Sequence, residues 1–249
     1  MSDEIRKDFQ AKNDIITKEN KRIRVDYQMF RWWPLLVKTM IPDKLRLQFL
    51  SEDEESTLDF EPKLAGIVNK EVGFRNSKMF LPFFTNMFDM YADAGFKWAP
   101  EVGSKPEDFK QQYTLDSLWA NFQGPGDFNP PHDHAGALSW VIYLTVPNEL
   151  KEENKKYKGR SAGPGGITFI YGDGPRSYIT HHSHFPEEGD MFIFPAGLKH
   201  WVFPFKSDCT RVSVSGNVAD SIQIKKLKIK PGVKWTKQQR KELLKDSLI

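Results

Sequence analysis

The chain is short of several things, and each shortage excludes something. Its 249 residues include a single cysteine, Cys209. No disulfide can form within the chain, and a reducing, cytoplasmic setting fits. Charge of one sign is scarce. Lys and Arg number 36 against 33 Asp and Glu, a net +3, too weak to argue for nucleic acid. No apolar run approaches the ~18 residues that a membrane span needs. Residues 1–24 are charged throughout and lack the apolar core of a secretory leader. Internal repeats are missing, as is a second region of independent size, so residues 1–249 are expected to form one domain.

Aromatic residues are abundant. They make up 13% of the chain, with 19 Phe and 7 Trp, and such side chains fill wide β-sandwich interiors and line pockets. The pattern changes near residue 110. Residues 1–110 read as a largely helical support region. Residues 4–24 suggest a solvated helix or loose arm, Leu35–Met40 a short strand stopped by Pro42, and Lys44–Glu55 a helix. Over Ser77–Phe96, the residues Phe80, Phe83, Phe84, Met87, Phe88 and Tyr91 recur at three- and four-residue intervals, as one helix face requires. This stripe reads as core.

From 111 to 220 the pattern becomes short apolar runs between turns. Strands are expected near 114–122, 131–134, 138–146, 166–171, 190–194, 200–204 and 210–217. Gly124-Pro125-Gly126, Gly163 to Gly166, Gly172 to Pro175 and Pro186 to Gly189 supply the turns. Strands at this spacing indicate an antiparallel sandwich or barrel. Residues 148–165, rich in Lys, Glu and Gly, read as a mobile loop and a lid over a pocket. The extension 221–249 ends in an amphipathic helix over Trp235 to Ile249.

The residues that carry chemistry lie in Asn129-Pro-Pro-His-Asp-His134. On a strand, positions i and i+2 share a face, so His132 and His134 meet on one side and Asp133 points to the other. A third histidine, His200, follows an aromatic strand and a Pro195-Ala-Gly197 turn. Neutral imidazole suits iron, zinc, copper and nickel. Three such residues point to one metal ion. Arg211, with Ser213 two residues on, shares one strand face with it. An Arg fork grips a carboxylate at two places, and a hydroxyl adds a third bond.

The stretch from Leu118 through His134 and on to Leu144, with Gly189–His200 and Arg211–Asn217, resembles the 2-oxoglutarate/Fe(II) oxygenases of marine bacteria and their phages. The likeness spans about residues 115–218. It implies a double-stranded β-helix, or jelly-roll, core, and with the helical pattern read before residue 110 the fold expected is mainly β with N-terminal helices (α+β). It further implies Fe(II), with 2-oxoglutarate and O2 as co-substrates, and a hydroxylase-type reaction. The setting would be the cytoplasm, that of a host if phage-encoded. His132, His134 and His200 would hold the metal. Arg211 and Ser213 would hold the distal carboxylate, with Asn121 at the keto-acid end and Tyr143 at the other.

One departure stands out. The usual triad of such oxygenases is two His and a carboxylate two residues after the first, where this chain has His134. Either three His bind, or Asp133 reaches the metal through a bulge, or the carboxylate's place is filled from outside. Strand alternation favours three His. Cupins share the jelly roll, and Gly126 to His134 and Gly189 to His200 resemble their motifs. The Glu expected after His134 and the Asn expected after His200 are missing, however. A cupin-type enzyme without 2-oxoglutarate is the alternative, followed by a metal-stabilised jelly roll that only binds a ligand. The substrate is a small molecule or a protein side chain, and the chain a monomer or homodimer. His181, His182 and His184 read as a solvated loop rather than the pocket's mouth. Cys209 reads as a small core residue, and the basic runs as solvated surface.

Overall fold

The computed structural model describes residues 9–16, 22–30, 36–51, 57–59, 66, 68, 70–74, 80–98, 109–171 and 181–224. In chain order the elements are β1 (Phe9–Ile16), β2 (Arg22–Phe30), β3 (Leu36–Met40), α1 (Asp43–Leu50), β4 (Thr57–Asp59), β5 (Lys70–Phe74) and α2 (Leu81–Trp98). There follow β6 (Phe109–Gln123), β7 (Asn129–His132), β8 (Leu138–Thr145), α3 (Asn148–Lys156), β9 (Ile167–Ile170), β10 (His181–His184), β11 (Asp190–Pro195), β12 (Lys199–Val202) and β13 (Arg211–Ile224).

These strands build two antiparallel sheets. The larger has the order β1-β2-β3-β11-β8-β13-β6-β5-β4, and the smaller β10-β9-β12-β7. From β6 onward, successive strands alternate between the two sheets, except that β9 and β10 are both in the smaller, and the central strands β6, β13, β8 and β11 face β7, β12, β9 and β10. That winding is a double-stranded β-helix, the jelly roll expected from the sequence. β13 is its spine. It pairs with β6 from Arg211↔Gln123 to Ile224↔Phe109, and with β8 along its other edge. Only glycine fits at position 216, where a Cβ would come within 2.5 Å of both the Ser117 carbonyl oxygen and the Trp140 ring.

Two apolar cores result, one on each face of the larger sheet. Outside, α2 lays down the predicted stripe: Phe80, Phe84, Met87 and Phe88 are buried, and Phe84 meets Trp140 with ring centroids 4.2 Å apart. Pro82 sits in the first helical turn, where its missing N–H costs nothing. Between the sheets, Tyr143, Phe169, Phe192, Phe194 and Phe205 pack with Leu150. Truncating one such buried Phe to Ala typically costs ~3–5 kcal/mol.

Several expectations need correction. Residues 9–16 and 22–30 are strands, paired as a hairpin in register Phe9↔Met29 to Ile16↔Arg22. β2 joins β3, and β3 joins β11. The edge of the larger sheet supplies backbone partners that override a weak helical propensity. Among the described residues, the support region is thus strands plus two helices rather than largely helical. α1 stops at Leu50, short of Glu55, with Ser51 closing it through a bond to the Leu47 carbonyl. The terminal helix expected over Trp235–Ile249 lies outside the described residues.

The segment 148–165, expected to be a loop, begins with a helix instead. Residues 148–156 form α3, with Leu150 buried. The Glu153 carboxylate accepts from the backbone N–H groups of Lys206 and Ser207 and from the Ser207 hydroxyl. Asn154 Nδ2 donates to the carbonyls of Ala162 and Pro164. No periodicity signals this anchoring, because the partners lie about 50 residues away in sequence. The histidine cluster is also not a solvated loop: His181–His184 is β10, paired with β9.

His184 belongs to a buried charge network. Its Nε2 donates to Asp190 Oδ2 at 2.8 Å, and Lys38 Nζ lies 2.6 Å from Asp190 Oδ1. Burial pushes the Asp190 carboxyl up, but the bonds from His184, the Glu187 N–H and Lys38 outweigh it and hold the group below its usual value. Asp190→Ala should therefore cost about 3 kcal/mol at pH 7, as removal of one buried ionic partner does. A depressed carboxyl stabilises above its unfolded value of ~3.9 and loses that contribution as pH falls through the folded value. Urea denaturation at pH 7 and pH 3 checks this: the gap between wild type and variant should narrow in acid, and an unchanged gap would contradict it.

Candidate metal centre

The approach to the site begins at β7. Register with β12 runs His200↔His132 and Val202↔Asn129, so two residues of β7, Pro130 and Pro131, stand against Trp201 alone. Prolines have no N–H for the ladder, and a bulge is one of the few places in a sheet that accepts them. The bulge re-aims the strand, so that Asn129 and His132, three apart, both line the interior cavity. β7 ends at His132. His134 lies just beyond it, held by its backbone N–H bonding the Ala196 carbonyl at 2.9 Å. On the other side, Pro195 ends β11, a turn closed by Leu198 N–H to the Pro195 carbonyl follows, and β12 carries His200.

These three elements bring His132, His134 and His200 together. One ligand nitrogen from each lies within 4.8 Å of the other two. The rings of His132 and His200 are 4.3 Å apart, and His134 stands 5.0 and 5.1 Å from them. His132 Nδ1 lies 2.6 Å from the Pro130 carbonyl and His200 Nδ1 2.9 Å from the Leu198 carbonyl. A carbonyl only accepts, so each Nδ1 carries the proton and each Nε2 keeps a free lone pair, the arrangement by which outer bonds orient metal-ligating imidazoles. All three rings are held neutral. Burial lowers His134 to about 4, with His132 beside it, and lowers His132 and His200 below the ordinary histidine value. Asp133 is exposed and stands outside this cluster. A borderline divalent ion fits a set of neutral nitrogens.

The opposite wall is the inner face of the larger sheet. Strand alternation points Trp119, Asn121 and Gln123 of β6 into the cavity beside Arg211, Ser213 and Ser215 of β13 and Val141 and Tyr143 of β8. Ser213 sits between Asn121 and Tyr143 in register. Arg211 is buried at 3% exposure. Its Nη1 donates to the Gly165 carbonyl at 2.7 Å, and its guanidinium stacks 5.1 Å from the Tyr143 ring centroid. Arg211 Nε and the Tyr143 hydroxyl are buried without partners. Burial pushes the Tyr143 phenol up to about 12, so it stays a donor. Asn121 differs: its amide is engaged, donating to Ser215 Oγ at 3.3 Å and accepting from Trp119 Nε1 at 3.2 Å. Two unpartnered donors and a buried cation fit a carboxylate from outside the chain.

The structure thus gathers every sequence-predicted site residue around one cavity. Trp119, Gln123, Asn129 and Ser215 also line it and were not predicted. Alternation from Asn121 would have found Trp119 and Gln123, and alternation from Ser213 would have found Ser215. Asn129 was hidden by the bulge.

A jelly roll with three imidazoles at one end of its cavity and a buried Arg on the facing wall offers a place for a metal ion and, across from it, one for an anion. Residues 117–217 match the family model described as "Putative 2OG-Fe(II) oxygenase". That stretch contains all three histidines, Arg211 and Ser213, and it is somewhat under half of the chain. No curated protein matched the sequence. Among solved structures, a Pseudomonas putida prolyl-4-hydroxylase is 14% identical with a TM-score of 0.47, covering 74% of this chain and 91% of its own. The 2-oxoglutarate-dependent epimerase SnoN of nogalamycin biosynthesis is 16% identical with a TM-score of 0.43, covering 81% and 87%. HygX from Streptomyces hygroscopicus, solved with nickel and 2-oxoglutarate, is 12% identical with a TM-score of 0.41, covering 74% and 82%.

Loss of any one imidazole should weaken metal binding by at least about tenfold, since even supporting contacts of such ligands are worth that much. Cobalt(II) titration followed by visible absorption should show this for His134→Ala and His200→Ala. Asp133→Ala should bind as wild type does, and a comparable loss there would put the carboxylate in the ligand set.

Proposed function

We propose that this chain is an Fe(II)- and 2-oxoglutarate-dependent oxygenase of hydroxylase type. The observation that carries the reading is the buried Arg211, whose Nε and neighbouring Tyr143 hydroxyl lack partners on the wall facing three neutral imidazoles. In this reading His132, His134 and His200 hold the iron through Nε2 where the Nδ1 bonds free it. Arg211, Tyr143 and Ser213 anchor the distal carboxylate of 2-oxoglutarate. Asn121, fixed by Trp119 and Ser215, faces the keto-acid end. Bound Fe(II) with 2-oxoglutarate and O2 supplies the oxidising power that inserts oxygen at a substrate C–H bond, with carbon dioxide and succinate as co-products.

The chain's contribution is position and dryness. The Gly165 carbonyl sets the angle of the guanidinium, and the Tyr143 ring covers one of its faces. Phe194, Ile167 and Val202 line the cavity between the sheets with apolar surface, which disfavours water beside the reacting groups. The substrate is a small molecule or a protein side chain. No helix among the described residues is long and apolar enough to cross a membrane.

Anaerobic titration with Fe(II) and then 2-oxoglutarate tests the reading. The weak visible charge-transfer band of the chelated co-substrate should appear in wild type. Arg211→Ala should still bind iron yet lose co-substrate affinity by about a hundredfold, ~3 kcal/mol for a charge-assisted grip. Iron binding without the band in wild type would instead favour a cupin-type enzyme.

A further inference from the structure

The cavity is polarised. One end collects donors, Arg211, Ser213 and the Tyr143 hydroxyl. The wall on which Gly66, Val68 and Glu71 lie carries acceptors. Gly66 lies against β7, where a Cβ would come 3.1 Å from Asn129 Oδ1 and 3.3 Å from the Phe128 carbonyl. Val68 lines the cavity. Glu71, at the start of β5, stands directly opposite Asn121. Opposed residues of an antiparallel pair project from the same face, and Asn121 points into the cavity, so the Glu71 carboxylate rises on the cavity side beside it. Lys70 turns to the other face, where its Nζ lies 4.9 Å over the Phe122 ring.

Neither acceptor on this wall is satisfied. Asn129 Oδ1 is buried without a hydrogen-bond partner. Glu71 is half-buried, pairs with no described residue, and is pushed above the ordinary carboxylate range by burial alone. Taking an amide oxygen wholly, and a carboxylate partly, out of water without donors is costly. A fold keeps such groups unpaired chiefly where a ligand completes them.

We propose that Glu71 and Asn129 form a subsite that takes a basic nitrogen of the substrate, an ammonium or guanidinium, and so sets which C–H bond faces the metal. This assignment rests on the oxygenase reading and adds its substrate class. The two ends then sort ligands by charge. The dicarboxylate is drawn to Arg211 and repelled by Glu71, and a cationic substrate the reverse, so neither occupies the other's place.

Cobalt(II)-loaded protein, first with and then without 2-oxoglutarate, is titrated with n-butylammonium, n-butylguanidinium, n-butyrate and n-butanol. Heat and the cobalt visible band are the readouts. The cations should bind and shift the band at concentrations where butyrate and butanol do not. Glu71→Gln should lower cation affinity about tenfold, the worth of one hydrogen bond to a charged group. The 2-oxoglutarate isotherm serves as the folding control, and Asn129→Ala is an independent second variant. Cation binding no stronger than that of butyrate or butanol in wild type overturns the subsite. So does unchanged cation affinity in both variants. A Glu71-dependent preference for cations in protein that fails to bind 2-oxoglutarate would uphold the subsite and refute the oxygenase reading.

Discussion

The structure depends on the pairing of β13 with both β6 and β8. An antiparallel ladder fixes which residues share a face, because a slip by one residue would turn every side chain over. Here the register places Arg211 beside Gln123, and Ser213 between Asn121 and Tyr143. The same ladder sends Val214 and Val218 into the outer core with Trp140 and Ile142. One set of backbone bonds thus builds the hydrophobic support under α2 and the polar wall of the cavity. Gly216, confined between Ser117 and Trp140, lets the three strands approach closely enough for this.

The polar wall carries a stability cost. A buried guanidinium with a single carbonyl acceptor, a phenol without a partner and an unpaired amide oxygen are features that a fold selected only for stability would shed. They are held by rigid surroundings: the aromatic core between the sheets on one side, and the α3 segment that ends at Gly165 on the other. The Lys38–Asp190–His184 network clamps the start of β11 to β3 and β10. The segment that α3 begins, anchored through Glu153 and Asn154, leads to Gly165, whose carbonyl accepts from Arg211.

Much was legible in the residues before any coordinates. The apolar stripe of α2 follows a 3.6-residue period, and the seven strands expected after residue 110 are short apolar runs bounded by glycine and proline. Those signals are local and survive folding. The edge strand β1 was misread as a helix or loose arm because it joins the sheet through β2, which pairs with β3, and its own pattern is weak. β10 was missed because three histidines in four residues look solvated, whereas pairing with β9 and the bond from His184 to Asp190 make them structural. Glu71 and Asn129 escaped notice for a related reason. One sits on a short strand whose face is set by its neighbour, and the other lies across a bulge that breaks the alternation rule.

By itself, the sequence determined which residue types were present to do chemistry. Its histidine spacing and its Arg-x-Ser run named the candidate metal ligands and the proposed carboxylate anchor from the two-residue repeat of a strand. Strand alternation already set Asp133 apart from the two imidazoles, but the tertiary structure reaches that outcome by another route: β7 ends at His132, and a bond to the Ala196 carbonyl holds His134. Only the tertiary structure brought Arg211 within reach of Tyr143 and set Glu71 beside Asn121. Those proximities depend on register between strands distant in the chain, and register is settled by the packing of whole faces rather than by any one segment.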